Sequence, residues 1–140
     1  MLVVRSCGTR SALPHLLLAP SPSPGGSYRT TVWCDGVWSA FCAKYHVVRY
    51  DRRGYGRSEP AKSAFVPEND LFQIMRHVHM DRAILVGNSS GGGLALDFAI
   101  AHPAMVEALF LIGPVVHGMA SSGYSTSAAA RTLRRGLTVT

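Results

Sequence analysis

Acidic residues are scarce in this chain and absent from both of its ends. Eight Asp and Glu face fourteen Lys and Arg in 140 residues, a formal charge of +6. None of the eight precedes Asp35 and none follows Glu107. Arg5, Arg10 and Arg29 therefore open the chain, and Arg131, Arg134 and Arg135 close it, without counter-charges. A basic excess can be the footprint of a nucleic-acid binder. Here it lies at two ends of low regularity, with no aromatic interleaving and no recognisable binding motif, so no nucleic-acid partner is expected.

Cysteine is also sparse. Cys7, Cys34 and Cys42 are odd in number and form no Cys-x-x-Cys and no metal-ligand spacing. That argues against a secreted disulfide framework and against a metal site, and favours a reducing, cytoplasmic setting. Long hydrophobic runs are missing too. No stretch approaches the ~20 apolar residues needed to span a bilayer. The run from Leu13 to Ala19 is short and broken by Pro14 and His15. No membrane partner is expected. The acid-free start, with its Arg and Ser, has some character of a transit peptide; the plainer reading is a strand region followed by a loop.

What remains is a globular composition, 47% hydrophobic and 16% charged. At this length one domain is expected, with roughly 68–70% of the unfolded surface buried on folding. Residues 1–12 show no clear period. Leu16 to Ala19 reads as a buried strand running into the Pro/Ser/Gly loop Pro20–Ser27. Val37, Phe41 and Tyr45 fall at helical spacing. His46–Tyr50 is short and β-branched, a strand, and Asp51–Ser58 is a loop punctuated by two glycines. A helix is predicted from Glu68 to Val78: Pro67 precedes it, Glu68 and Asp70 occupy its first turn, and Leu71, Ile74, Met75 and Val78 form a stripe. Ala83–Val86 is a continuous apolar run and Val106–Ile112 one broken only by Glu107, as strands buried on both faces should be. A helix from Leu94 to His102, closed by Pro103, lies between them. The alternation of strand and helix argues for α/β architecture, a parallel sheet with crossover helices. From Ser121 onward small residues and arginines replace the apolar period, and 121–140 is expected to be a poorly ordered or weakly helical tail.

The chemistry-bearing motif is Gly87-Asn88-Ser89-Ser90-Gly91. A serine hydroxyl is a weak nucleophile until a base takes its proton, and it must stand clear of the sheet. A tight strand-to-helix turn presents it, and the turn is tight enough to require small residues two before and two after the nucleophile. Gly87 and Gly91 occupy those places, with a predicted strand before and a helix after. This is the context of a nucleophile elbow, with Ser89 as nucleophile and the backbone N–H of Ser90 as an oxyanion donor at a helix N-terminus. Two other readings compete. Gly87-x-x-x-Gly91-x-Gly93, with Glu107 about twenty residues on, fits a short-chain dehydrogenase glycine pattern; that pattern should follow the first strand, and no Tyr-x-x-x-Lys follows. A phosphate-binding loop lacks its closing Lys-Ser/Thr.

Three motifs together resemble the α/β-hydrolase superfamily, in the branch of esterases, proline-iminopeptidase-like enzymes and cofactor-free perhydrolases. They are Tyr50–Ser58 after a strand, the elbow at Gly87–Gly91, and Ala101-His102-Pro103 closing the next helix. The matching stretch runs from about Tyr45 to Gly118. The resemblance implies that Asp51 and the arginines around it hold loops together, that His102 is a helix-end residue facing a carbonyl, and that no cofactor is needed. It implies a second oxyanion donor from the Ser21–Tyr28 loop, with Ser23 nearest, although the family's His-Gly pair is replaced there by Ser21-Pro22. It further implies a triad in the order Ser, acid, His. After Ser89 the acids are Asp97 and Glu107 and the histidines His102 and His117. Asp97 falls inside a helix and Glu107 at the far end of a strand. His117 is read as the start of a connection to a cap.

Residues 1–120 are accordingly expected to form a partial α/β-hydrolase core. Two functions follow: a serine hydrolase acting on a small ester or related acyl substrate through Ser89, or a truncated, inactive hydrolase fragment lacking the triad acid and His. An open sheet ending at Val106–Ile112 also offers an edge for self-association.

Overall fold

In the computed structural model the described residues are 1–8, 15–19 and 36–116. They build a five-stranded sheet with three helices. The elements are β1 (Val3–Cys7), β2 (His15–Ala19), α1 (Trp38–Cys42), β3 (His46–Asp51), α2 (Pro67–His77), β4 (Ala83–Asn88), α3 (Ser90–Ala101) and β5 (Val106–Ile112), with a 3-10 turn, Pro103–Met105, before β5. The strand order is β1-β3-β2-β4-β5. β2, β3, β4 and β5 run parallel, and β1 pairs antiparallel with β3. The strand–helix alternation predicts the four parallel strands. The antiparallel edge does not show in the periodicity of residues 1–12, because β1 lies at an edge and its residues are half-buried or exposed without alternation.

β4 divides the core. Ala83 and Leu85 point to one face, where α2 supplies Leu71, Ile74, Met75 and Val78 and α3 supplies Leu94, Ala95 and Phe98, all buried. The stripe predicted for α2 is the stripe that packs. Ile84 and Val86 point to the other face, where α1 contributes Trp38, Phe41 and Cys42. The central parallel strands are buried on both sides, as a parallel sheet demands: Val47, Val48 and Leu85 are fully enclosed. β5 departs from that expectation. Phe110 is 62% and Ile112 41% exposed, because α1 covers the β3 side of the sheet and the described chain lays no helix over β5 on that face. An apolar groove of about 450 Å³ opens there between Val37, Phe41 and Tyr45 on one wall and Ile84, Val86, Phe110 and Ile112 below.

The cysteines also differ from expectation. Cys7 at the end of β1 and Cys42 at the end of α1 are disulfide-bonded, with Cα atoms 5.5 Å apart. Strand order brings the two together: β1 pairs with β3 so that Cys7 sits opposite Val47, just beyond the turn that leaves α1. Spacing in the sequence carries no trace of that. Cys34 lies outside the described residues.

The glycine-punctuated loop behaves as a brace. The Ser58 hydroxyl donates to the Asp51 carbonyl at 2.6 Å and accepts the Val3 N–H at 2.8 Å, tying β1 to the end of β3. The Asp51 carboxylate accepts the Arg57 N–H at 3.1 Å. Gly56 lies against that carboxylate with a φ of +56°, and a Cβ there would fall 2.4 Å from it. Arg53 grips Asp70 of α2 through two nitrogens, at 2.8 and 2.9 Å, and the pair raises the guanidinium pKa further. This is the loop-holding role that the resemblance implies for Asp51 and its arginines.

Candidate active site

The site follows from the order in which strands were laid down. From β2 the chain passes outward to β3, and from β3 it returns across the sheet to β4. β2 and β4 are therefore neighbours whose connections leave in opposite directions, and open parallel sheets bind ligands outside the carboxyl ends of such a strand pair. The register puts Ala19, the last residue of β2, opposite Gly87, two residues before Ser89. Ser89 stands at this switch point. The segment that follows Ala19 contains Ser23, which lies outside the described residues.

At the end of β4 the chain turns through Ser89 directly into α3, with φ of 53° and ψ of −121° at the serine. Such a backbone costs a non-glycine residue on the order of 1–3 kcal/mol and persists only when its surroundings over-determine it. Those surroundings are visible. A Cβ at Gly87 would fall 2.5 Å from the Gly91 carbonyl oxygen and 2.6 Å from the Gly92 Cα. The turn therefore closes backbone on backbone and leaves no room for a side chain at 87. The Ser89 N–H donates to the Ile112 carbonyl at 2.9 Å, and the Ser89 carbonyl accepts the N–H groups of Gly92, Gly93 and Val115 at 3.0, 3.2 and 2.9 Å. Both main-chain groups of the serine are thus fixed, one of them from two elements at once.

Ser90 is the first residue of α3. No backbone acceptor among the described residues takes its N–H, so it stays available at the positive end of a twelve-residue helix. Its hydroxyl is buried and without a hydrogen-bond partner among the described residues. The arrangement can hold a developing negative charge beside the Ser89 hydroxyl, which is what acyl transfer demands.

The other predicted residues are spread apart. Asp97 lies within α3, two turns past the serine, and Glu107 is exposed on the second residue of β5. His102 caps α3, with its ring 4.7 Å from that of Phe98 and 5.2 Å from that of Phe72. It stacks on aromatic rings and does not face a carbonyl as expected; only its main-chain N–H meets one, that of Phe98. His117 and residues 121–140 lie outside the described residues. No group of three His, Cys, Asp or Glu among the described residues is placed to hold a metal ion, and no described helix is long and apolar enough to cross a membrane. Sequence reasoning missed Gly92, Gly93, Ile112 and Val115, which surround the serine. The signal was present in part: the run Gly91-Gly92-Gly93 has two glycines more than the turn needs.

A family model for the alpha/beta hydrolase fold matches residues 24–137. The 2-hydroxymuconate semialdehyde hydrolase of Pseudomonas sp. strain CF600 is 32% identical over 125 residues, covering 80% of this chain and 43% of that protein. A putative carbamate hydrolase of Caulobacter sp. strain K31 is 32% identical over 93 residues, covering 63% of this chain and 33% of that protein. Among solved structures, the enol-lactonase from Burkholderia xenovorans LB400 superposes with a TM-score of 0.68 at 27% identity, over 77% of this chain and 41% of that one. A marine microorganism esterase does so with a TM-score of 0.68 at 23% identity, over 96% and 48%. The chain spans less than half the length of each of these relatives.

Proposed function

The chain belongs to the α/β-hydrolase fold family, and from that premise we propose that it is a serine hydrolase in which Ser89 attacks a small ester or related acyl substrate. One observation carries the reading: Ser89 is held at a positive φ at the sheet's switch point, beside an uncommitted Ser90 N–H. The Ser89 Oγ bonds to the acyl carbon as a base takes its proton, and the carbonyl oxygen becomes an oxyanion facing the Ser90 N–H. Collapse of this intermediate expels the leaving group with a proton, and water then releases the acyl group. Ser23, in the segment that follows Ala19, is proposed as the second oxyanion donor. The base and its acid are placed by this proposal outside the described residues. The reaction needs no cofactor. The putative carbamate hydrolase and the enol-lactonase among the similar proteins support an acyl-type bond as the target. We also propose a cytoplasmic setting, on the odd and sparse cysteine set.

A fluorophosphonate probe reports an activated serine. Labelling of Ser89 that disappears in Ser89→Ala, with an unchanged circular-dichroism spectrum, is the expected result. An unlabelled wild-type chain of native spectrum would remove the hydrolase reading and leave the second one, a hydrolase-fold chain that does not turn over by itself.

A further inference from the structure

The elbow glycines account for how β4 meets α3, but not for Gly92 and Gly93. Their space is used by a different segment. A Cβ on Gly93 would sit 2.0 Å from the Val115 carbonyl oxygen, and one on Gly92 would sit 2.8 Å from the Pro114 Cβ and 3.0 Å from its Cα. The chain leaving β5 thus lies directly on the first turn of α3, at a distance only glycine allows. There it brackets the serine: the Ile112 carbonyl takes the Ser89 N–H, and three residues later the Val115 N–H meets the Ser89 carbonyl, both at 2.9 Å.

We infer that Gly113–Val115 is a positioning strap for Ser89, and that Gly93 and the Val115 N–H are its two essential parts. The physical argument is one of alternatives. A serine at φ 53° relaxes toward ordinary helical or extended backbone if its peptide groups are released. Gly92 and Gly93 hold the serine carbonyl from the helix side, as any helix start would. The strap holds the same carbonyl from outside the helix, and the Ile112 carbonyl at the end of β5 holds the N–H, so rotation of either peptide plane breaks a bond to β5 or its exit. The strap fixes the direction of the Ser89 Cα–Cβ bond, and with it the position of Oγ. Val115's side chain is half-exposed and takes no part in this. The catalytic consequence rests on the hydrolase reading above; the mechanical one does not.

The test compares Gly93→Ala, Val115→Pro and Val115→Ala. Gly93→Ala pushes the strap off, Val115→Pro deletes its donor, and Val115→Ala restores the donor with a smaller side chain. Fluorophosphonate inactivation separates binding from attack. Gly93→Ala and Val115→Pro should slow the maximal inactivation rate about tenfold, the equivalent of about 1.4 kcal/mol, with the half-saturating probe concentration unchanged. Val115→Ala should recover the wild-type rate. Amide hydrogen exchange runs alongside: the Ser89 N–H should lose protection in the first two variants while the Leu85 N–H in β4 keeps its own. Wild-type rates in Gly93→Ala and Val115→Pro would overturn the strap. So would unchanged protection at Ser89, or an equal loss at Leu85, which marks plain unfolding. If the wild-type chain takes no label, the hydrolase reading fails and the exchange pattern alone decides the strap.

Discussion

Replacing Gly87 by alanine tests whether the close approach of β4 and α3 is what makes the turn. One methyl group is added, at a position whose φ is not in the left-handed region, so the cost is steric alone. The new Cβ would lie 2.5, 2.6 and 2.7 Å from the Gly91 oxygen, the Gly92 Cα and the Gly91 carbonyl carbon, where ordinary contact begins at 3.4 Å. All three are main-chain atoms, so no side chain can rotate away. Helix and strand must part by roughly an ångström, and α3 carries Leu94, Ala95 and Phe98 with it, away from Leu85. Overpacking of this kind costs about 1–3 kcal/mol, and a backbone obstacle belongs at the top of that range. For a chain of this size the expected fall in Tm is about 5–10 °C. Gly36→Ala is the control, since a Cβ there meets nothing within 4 Å and should change stability by less than about 0.5 kcal/mol. Thermal melts followed by far-UV circular dichroism, with urea titration in parallel, measure both. A Gly87→Ala melt indistinguishable from that of Gly36→Ala would refute the argument.

Two further outcomes follow from the packing. Ser58→Ala removes a hydroxyl that both accepts from Val3 and donates to Asp51; it strands two main-chain groups and should cost about 1–3 kcal/mol in urea denaturation, whereas a cost within error would show the brace to be ornamental. The β5 edge, with Phe110 62% exposed, is proposed to meet a second copy of the chain, as apolar edges tend to. Sedimentation velocity should then show concentration-dependent association that Phe110→Lys shifts to monomer, and a wild-type chain monomeric at all concentrations would end that proposal.

How much of this was legible in the sequence depended on the range of the interaction. The α2 stripe of Leu71, Ile74, Met75 and Val78 was legible because an amphipathic helix writes its burial into its own period. β4 was legible because a strand enclosed on both faces is apolar throughout. The same rule misjudged β5, whose run from Ala108 to Ile112 is as apolar but whose face beside α1 is open. Composition records what a strand can bury, and the neighbours decide what it does bury. Cys7 and Cys42 were missed for a related reason. They are separated by 35 positions, and only the antiparallel pairing of β1 with β3 makes them neighbours.

The candidate site divides along the same line. Gly87, Ser89, Ser90 and Gly91 are contiguous, and the constraint among them is local: a strand must become a helix within one residue. Their spacing alone therefore states the geometry. Ile112 and Val115 serve the same serine from more than twenty positions away, and their contributions are a carbonyl and an N–H that any residue could supply. No side-chain pattern records them. Gly93 is the exception that shows the rule. It records the strap indirectly, by the side chain it lacks, because a main chain laid against a helix leaves a mark on the helix even when its own residues are anonymous. Reading such surplus glycines as footprints of a third segment extends what a short motif can reveal, from the residues that do chemistry to the ones that hold them still.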